Sequence, residues 1–283
     1  MAPTPSSVPT ERQRAAFITP LDATALAAAL GGDCAVQVAL RTGSTNADLL
    51  ALARAAAPAR PVLRATLEQT TGRGRLGRRW STPPGAALLF SLAVPLPAAA
   101  APAASLVAGL AVAEVLHDAG VRVQVKWPND LLLGAGKLAG ILVELATAAD
   151  GARTLVVGVG INLWCSEAQR AEVGRPLAAL ADVLPLATLA AQREAWLARL
   201  ARALLAALRR FAVEGFVPFH ARYMRHLAWH EAEVELTEHE ARVARGTLRG
   251  VDGDGRLLVE VKGRLAAFVA GELSLRPAVP AVA

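Results

Sequence analysis

Nine consecutive residues are dominated by glycine and arginine: Gly72-Arg73-Gly74-Arg75-Leu76-Gly77-Arg78-Arg79-Trp80. Glycines give such a loop mobility and unusual dihedrals. Arginines give it forked donors that match carboxylate or phosphate. Trp80 closes the run with a flat aromatic face. The chemistry implied is the wrapping of an anion, although the same run by itself also reads as a solvated loop or an RNA-binding Arg/Gly tract. Two further segments hold chemically unusual residues: Lys126-Trp127-Pro128-Asn129-Asp130 and Gly136-Lys137-Leu138-Ala139-Gly140-Ile141-Leu142-Val143-Glu144. Lys137 follows a tight glycine turn and enters an apolar strand, which presents its ammonium inside a pocket. A lysine on a surface hairpin is the plainer reading, and the apolar run after it speaks against that.

Only three lysines occur, Lys126, Lys137 and Lys262, so positive charge is otherwise carried by arginine. Two of the three fall in these segments, which gives lysine a chemical reason there. The net charge of +6 is spread along 283 residues rather than gathered in a basic block, so no specific DNA contact is expected. Two cysteines, Cys34 and Cys165, exclude a disulfide framework and a cysteine metal site. No metal ligands of the chain's own are expected. Leu92 to Ala113 lacks charge over a membrane-spanning length, but Pro95, Pro97 and Pro102 divide it into a strand end, a turn and a buried helix from about Ala103 to Ala119. Pro20 and Asp22 interrupt the one candidate signal region. A soluble, cytoplasmic protein without a membrane partner is expected.

The elements that must hold these residues alternate. Residues 1–20 read as a disordered tail, followed by a short helix over Leu21–Leu30. Strands are expected at Ala35–Leu40, Pro61–Leu67, Ala86–Val94, Val121–Lys126, Asp130–Leu133, Leu138–Leu145 and Thr154–Ile161. Ser44-Thr45-Asn46 opens a helix to about Ala57 and supplies its N-cap. Short connections require antiparallel neighbours, so the sheet is mixed. One long helix is expected from Leu186 to Phe211. After Trp229 the pattern changes to short strands, Glu231–Thr237, Ala241–Leu248, Leu257–Val261 and Ala266–Val269, with Asp252-Gly253-Asp254-Gly255 as a turn. The domains expected are 21–228 and 229–277, with 278–283 as a second tail. Gly158-Val159-Gly160 lacks the third glycine of a dinucleotide fingerprint, and Gly134-Ala135-Gly136-Lys137 lacks the other residues of a P-loop.

In this order the three segments resemble the signature of the biotin protein ligases. The resemblance covers about Val36 to Arg276 and implies an α/β (α+β) fold: a mixed sheet flanked by helices, similar to class II aminoacyl-tRNA synthetases, and a small SH3-like C-terminal barrel. Some of these ligases carry an N-terminal helix-turn-helix module and act as repressors; no room for one is expected before Ser44. The implied substrates are biotin and ATP, with Mg²⁺ carried on the nucleotide. The implied protein partner is the carrier domain of a biotin-dependent carboxylase, and a homodimer is left open. Lys137, Arg75 and Arg73 are implied as catalytic. Ser44, Thr45, Asn46, Gln69, Gly72, Gly74 and Gly140, with those three, are implied to bind biotin. Trp80, Lys126, Asn129, Asp130, Asn162 and Arg276, again with those three, are implied to bind the nucleotide. Trp127 and Pro128 read as scaffold. Two rivals remain: the related lipoate or octanoate enzymes, whose transferases use a cysteine that these segments lack, and a nucleic-acid-binding regulator.

Overall fold

Alternation of side-chain size decides how the main sheet is used. In the computed structural model, which describes residues 8–95, 103–239 and 241–278, two short helices lead into the sheet, α1 (Glu11–Phe17) and α2 (Ala23–Ala29). They are followed by β1 (Ala35–Thr42), α3 (Thr45–Ala55), β2 (Val62–Gln69), β3 (Ala87–Pro95) and α4 (Ala104–Asp118). Four strands follow: β4 (Gln124–Lys126), β5 (Asp130–Leu133), β6 (Gly136–Thr147) and β7 (Arg153–Asn162). The seven strands are ordered β1-β2-β3-β7-β6-β5-β4. Only the β1–β2 pair is parallel, since it alone is joined by a helical crossover. The sheet is mixed, as short connections demand.

One face carries Leu88, Phe90, Leu92, Leu155, Val157 and Ile141, which enter the main core with α4 and the later helix α7 (Arg193–Glu214). Residues of the opposite parity, Ala93, Ala146 and Val156, pack under Leu49, Leu50 and Ala53 of α3. Further along this second face the strands place Ser91, Gly158, Gly160 and Gly140 where large apolar groups would otherwise stand. A cleft opens there because the face has nothing bulky to bury.

The chain then forms α5 (Glu167–Glu172), α6 (Leu186–Ala191), α7 and α8 (Val217–His226). A second sheet comprises β8 (Glu233–Glu238), β9 (Ala241–Val251), β10 (Leu257–Val261), β11 (Arg264–Phe268) and β12 (Ser274–Pro277), ordered β11-β10-β9-β8-β12 and antiparallel throughout. It seats on the first unit through the turn at Gly255. A side chain there would meet Ala103 and Leu106 of the α4 start at 2.9 and 3.1 Å. The indole N–H of Trp127 donates to the Gly255 carbonyl at 3.1 Å.

Several expectations are corrected. The stretch read as a disordered tail holds α1, capped by Thr10 and Gln13 together, and Phe17 is buried. Arg193 fixes this segment by donating to the carbonyls of Phe17 and Thr19. The single helix over 186–211 is two helices, because Gln192 leaves helical geometry (φ −115°, ψ 17°). Helices α5 and α8 had no counterpart. The proline-rich turn expected after Pro95, including Pro97 and Pro102, falls outside the described residues, as does most of the tail over 278–283.

Candidate active site

A single register row crosses the second face of the sheet. Leu89 stands opposite Gly160, Gly160 opposite Gly140, Gly140 opposite Asp130, and Asp130 opposite Lys126. The row therefore changes from apolar on β3, through glycine on β7 and β6, to charge on β5 and β4. It floors a cleft with about 90 Å³ of free volume.

The charged end centres on Asp130. Lys137 Nζ lies 2.5 Å from one carboxylate oxygen and Lys126 Nζ 3.8 Å from the other. Burial alone would raise the Asp130 carboxyl, but the two ammonium charges overcome it and hold the group below the usual carboxylate range. Burial pulls both lysines below the ordinary lysine range, against the opposing pull of Asp130. Two cations around one anion leave an excess positive charge in a half-desolvated place, which suits an anionic ligand. Asn129 fixes the turn before Asp130: its amide donates to the Ile141 carbonyl at 2.9 Å.

The other end is built from amide and hydroxyl donors, one of them bonded to the Glu144 carboxylate. Asn46 donates to Glu144 at 2.8 Å and accepts from the buried Ser91 hydroxyl at 2.6 Å. Ser91 also meets Thr45 Oγ1 at 2.7 Å. Gln69 accepts from the Thr45 backbone N–H at 2.8 Å and from its hydroxyl at 3.1 Å. Asn46 fits only because Gly158 has no side chain; a Cβ there would collide with its amide. Ser44 caps α3, accepting from the Ala47 N–H at 3.4 Å, and lines the cleft as well. A helix cap and a pocket wall are thus one residue.

The glycine–arginine segment is a short hairpin, not an open coil. Trp80 N donates to the Gly72 carbonyl at 2.9 Å and Gly74 N to the Arg78 carbonyl at 2.7 Å. Leu76 and Gly77 turn it at φ 59° and 69°. Trp80 swings inward over the glycines. Cβ atoms at Gly140 and Gly160 would sit 3.0 and 2.8 Å from the indole, and Lys137 Nζ lies 5.5 Å from its ring centroid. Arg75 donates to Asn129 at 3.2 Å and to the carbonyls of Ala270 and Gly271 at 3.0 and 2.5 Å. That guanidinium links the hairpin to the C-terminal sheet. Arg73 lies 3.9 Å from Glu144.

Among the expected site residues, Ser44, Asn46, Gln69, Arg73, Gly74, Arg75, Trp80, Lys126, Asn129, Asp130, Lys137 and Gly140 line one cleft. Thr45, Gly72, Asn162 and Arg276 do not. Thr45 supports Gln69 and Ser91. Gly72 closes the hairpin, where a Cβ would meet the Trp80 carbonyl at 2.5 Å. Asn162 ties the carbonyls of Lys137 and Ala178 from behind, at 3.3 and 3.0 Å. Arg276 acts on Lys126 only through its charge. Gly140 admits the indole of Trp80. Ser91, Glu144 and Arg175 were not anticipated. Ser91 and the glycines Gly158 and Gly160 had a signal: they share one parity in strands whose other parity is apolar apart from Arg153 at the start of β7. Cys34 and Cys165 stand away from the cleft, and burial pushes both thiols up to about 11.

The sequence model of the Biotin/lipoate A/B protein ligase family matches residues 38–162, the part that holds the sheet and its cleft. That of the Biotin protein ligase C terminal domain matches residues 231–276. The chain is 35% identical over 248 residues to the biotin–[acetyl-CoA-carboxylase] ligase of Mycobacterium tuberculosis, covering 84% of this chain and 88% of that one. It is 39% identical over 213 residues to the bifunctional ligase/repressor BirA of Escherichia coli, covering 74% of this chain and 65% of the relative, so it spans just under two thirds of that protein. The biotin protein ligase of Aquifex aeolicus, solved in complex with biotin and ATP, superposes with a TM-score of 0.70 at 24% identity, over 86% of this chain and 99% of that chain. This chain belongs to the biotin protein ligase family. Among the described residues no helix is long and apolar enough to cross a membrane.

Proposed function

We propose that this chain is a biotin–[biotin carboxyl carrier protein] ligase acting in the cytoplasm. Biotin carboxylate attacks the α-phosphorus of ATP, the bond to pyrophosphate breaks, and biotinyl-5′-AMP forms. A carrier lysine amine then attacks the activated carbonyl, loses a proton, and AMP departs. Both steps need anions held together and developing charge stabilised, which positioning and preorganised cations supply. Lys137 faces the charge shared by carboxylate and α-phosphate. Lys126 extends that field, and Asp130 keeps both ammonium groups charged and in place. Mg²⁺ enters on the nucleotide. The amide end, with Ser44, Asn46 and Gln69, takes the ureido ring, where a dry polar ring needs matched donors and acceptors. Arg73, Arg75 and Trp80 cover the ligands.

The observation that carries this reading is the row from Gly160 to Lys126, which sets a buried cation pair at the end of a glycine floor covered by the Trp80 indole. The experiment is incubation with ATP, labelled biotin and a carrier domain, with lipoate and octanoate alongside. Label transferred to one carrier lysine is the expected result. Preferential use of lipoate or octanoate would move the chain to the related acyl enzymes. The cysteine-dependent transferases among those rivals are disfavoured by two buried thiols of raised pKa, which are poor nucleophiles.

A further inference from the structure

A strap runs from the end of α5 to Leu180 and passes the charged end of the cleft. Its course is fixed by Lys137 itself. Lys137 N donates to the Pro176 carbonyl at 2.9 Å, and Ala178 N donates to the Lys137 carbonyl at 3.0 Å. Gly136 allows the approach, since a Cβ there would stand 2.8 Å from the backbone of Leu177 and Ala178. Arg170 braces the strap by donating to the Leu177 carbonyl and pairing with Asp182 at 2.9 Å. Arg175 precedes this clamp, lines the cleft, and is solvent-exposed. Among the described residues it makes no hydrogen bond and no ion pair. Lys126 and Lys137 are engaged on Asp130 and Arg75 on carbonyls, whereas Arg79, also in the cleft lining, and Arg276 share with Arg175 the lack of a side-chain hydrogen bond or ion pair among the described residues.

We propose that Arg175 binds the β- and γ-phosphates of ATP and holds the departing pyrophosphate. The proposal rests on the ligase reading above. Attack and departure at the α-phosphorus are roughly in line. On the ligase reading biotin is held at the amide end by Ser44, Asn46 and Gln69, so pyrophosphate leaves toward the opposite, charged end at the edge strand β4, where Lys126 and the strap stand. As the bond breaks, its electron pair goes to the pyrophosphate oxygen, and a free guanidinium fork is matched to that charge. Arg175 already acts on this end. After burial and the neighbouring charges of the row, its cation contributes to holding Lys126 and Lys137 below the ordinary lysine range.

The test compares the full chain with Arg175→Gln and Arg175→Lys. Calorimetry measures binding of inorganic pyrophosphate and of biotin; kinetics give the KM for ATP and transfer from preformed biotinyl-5′-AMP. Arg175→Gln is expected to weaken pyrophosphate and raise the KM for ATP by roughly ten- to a hundredfold, the usual effect of losing a charge-assisted contact. Biotin binding and transfer from the preformed adenylate stay at the parent level, and Arg175→Lys recovers part of the loss. Pyrophosphate bound equally by parent and Arg175→Gln overturns the proposal. So does an equal loss of biotin binding and transfer, which marks a role in holding the strap. A parent chain that makes no biotinyl-5′-AMP defeats the ligase reading instead, and the pyrophosphate binding comparison still judges Arg175.

Discussion

At the α3 end of the cleft, Ser91, Asn46 and Glu144 are joined by neutral-donor hydrogen bonds of 2.6 and 2.8 Å. At the β4 end, Lys137, Asp130 and Lys126 are joined by charge at 2.5 and 3.8 Å. Both groups stand on the same face of the same sheet, separated by the glycines of β7 and β6. The first end can discriminate, because an unmatched ligand would strand buried donors and acceptors. The second can lower a barrier, because its charges are fixed before the reaction begins. Recognition and chemistry are thus set apart by a floor of glycines, Gly158, Gly160 and Gly140, with the Trp80 indole over the last two.

The largest effect that can break this division is at Lys137. Lys137→Ala is expected to slow adenylation on the order of a hundred- to a thousandfold, while Lys137→Arg keeps ligand binding and loses much of the rate, its fork being larger and differently aimed. Pyrophosphate release in a single turnover measures this, and a near-parent rate in Lys137→Ala would put the chemistry elsewhere. Next comes Asn46→Ala, which leaves the Ser91 hydroxyl and Glu144 without a partner. Biotin affinity is expected to fall by about 1–3 kcal/mol, with transfer from preformed adenylate much less affected; equal losses in both would erase the distinction between the two ends. Arg75→Ala tests the cover over them. It should shorten retention of biotinyl-5′-AMP by about tenfold, the scale of one charge-assisted bond, with the melting temperature little changed because the hairpin contributes no core. The smallest effect is a shift in pH dependence. Burial lowers the Lys137 pKa, so its ammonium is lost as pH rises, at a pH below that of an ordinary lysine, and adenylation falls on that side. Asp130→Asn removes the charge that raises this pKa and moves the alkaline limb to still lower pH. An unmoved limb would separate Asp130 from Lys137.

Motifs in the sequence disclosed the charged end well, since Lys126, Asp130 and Lys137 lie within twelve residues and two tight turns of one another. The sheet was equally legible where strands alternate, and the mixed pairing followed from short connections. The amide end was only half legible. Asn46 sits in a recognisable tripeptide, but Ser91, on β3, reads as one polar residue in an apolar strand, and its partners arrive from α3 and β6. Arg175 lies in a stretch without periodicity, placed by a backbone clamp that no local pattern encodes. The α1 helix was hidden for a related reason: its polar sequence looks unfoldable until Arg193, far along the chain, accounts for the carbonyls at its end.

The register row has a consequence for the pairing of β6. Side chains alternate across a strand, so a one-residue slip of β6 against β5 and β7 would turn Lys137 away from Asp130 and replace Gly140 by a neighbour with a side chain. A slip of β6 would also carry Ala139 and Ile141 out of the core, so the apolar pattern that buries one face of the strand also holds the register on which the charged end depends.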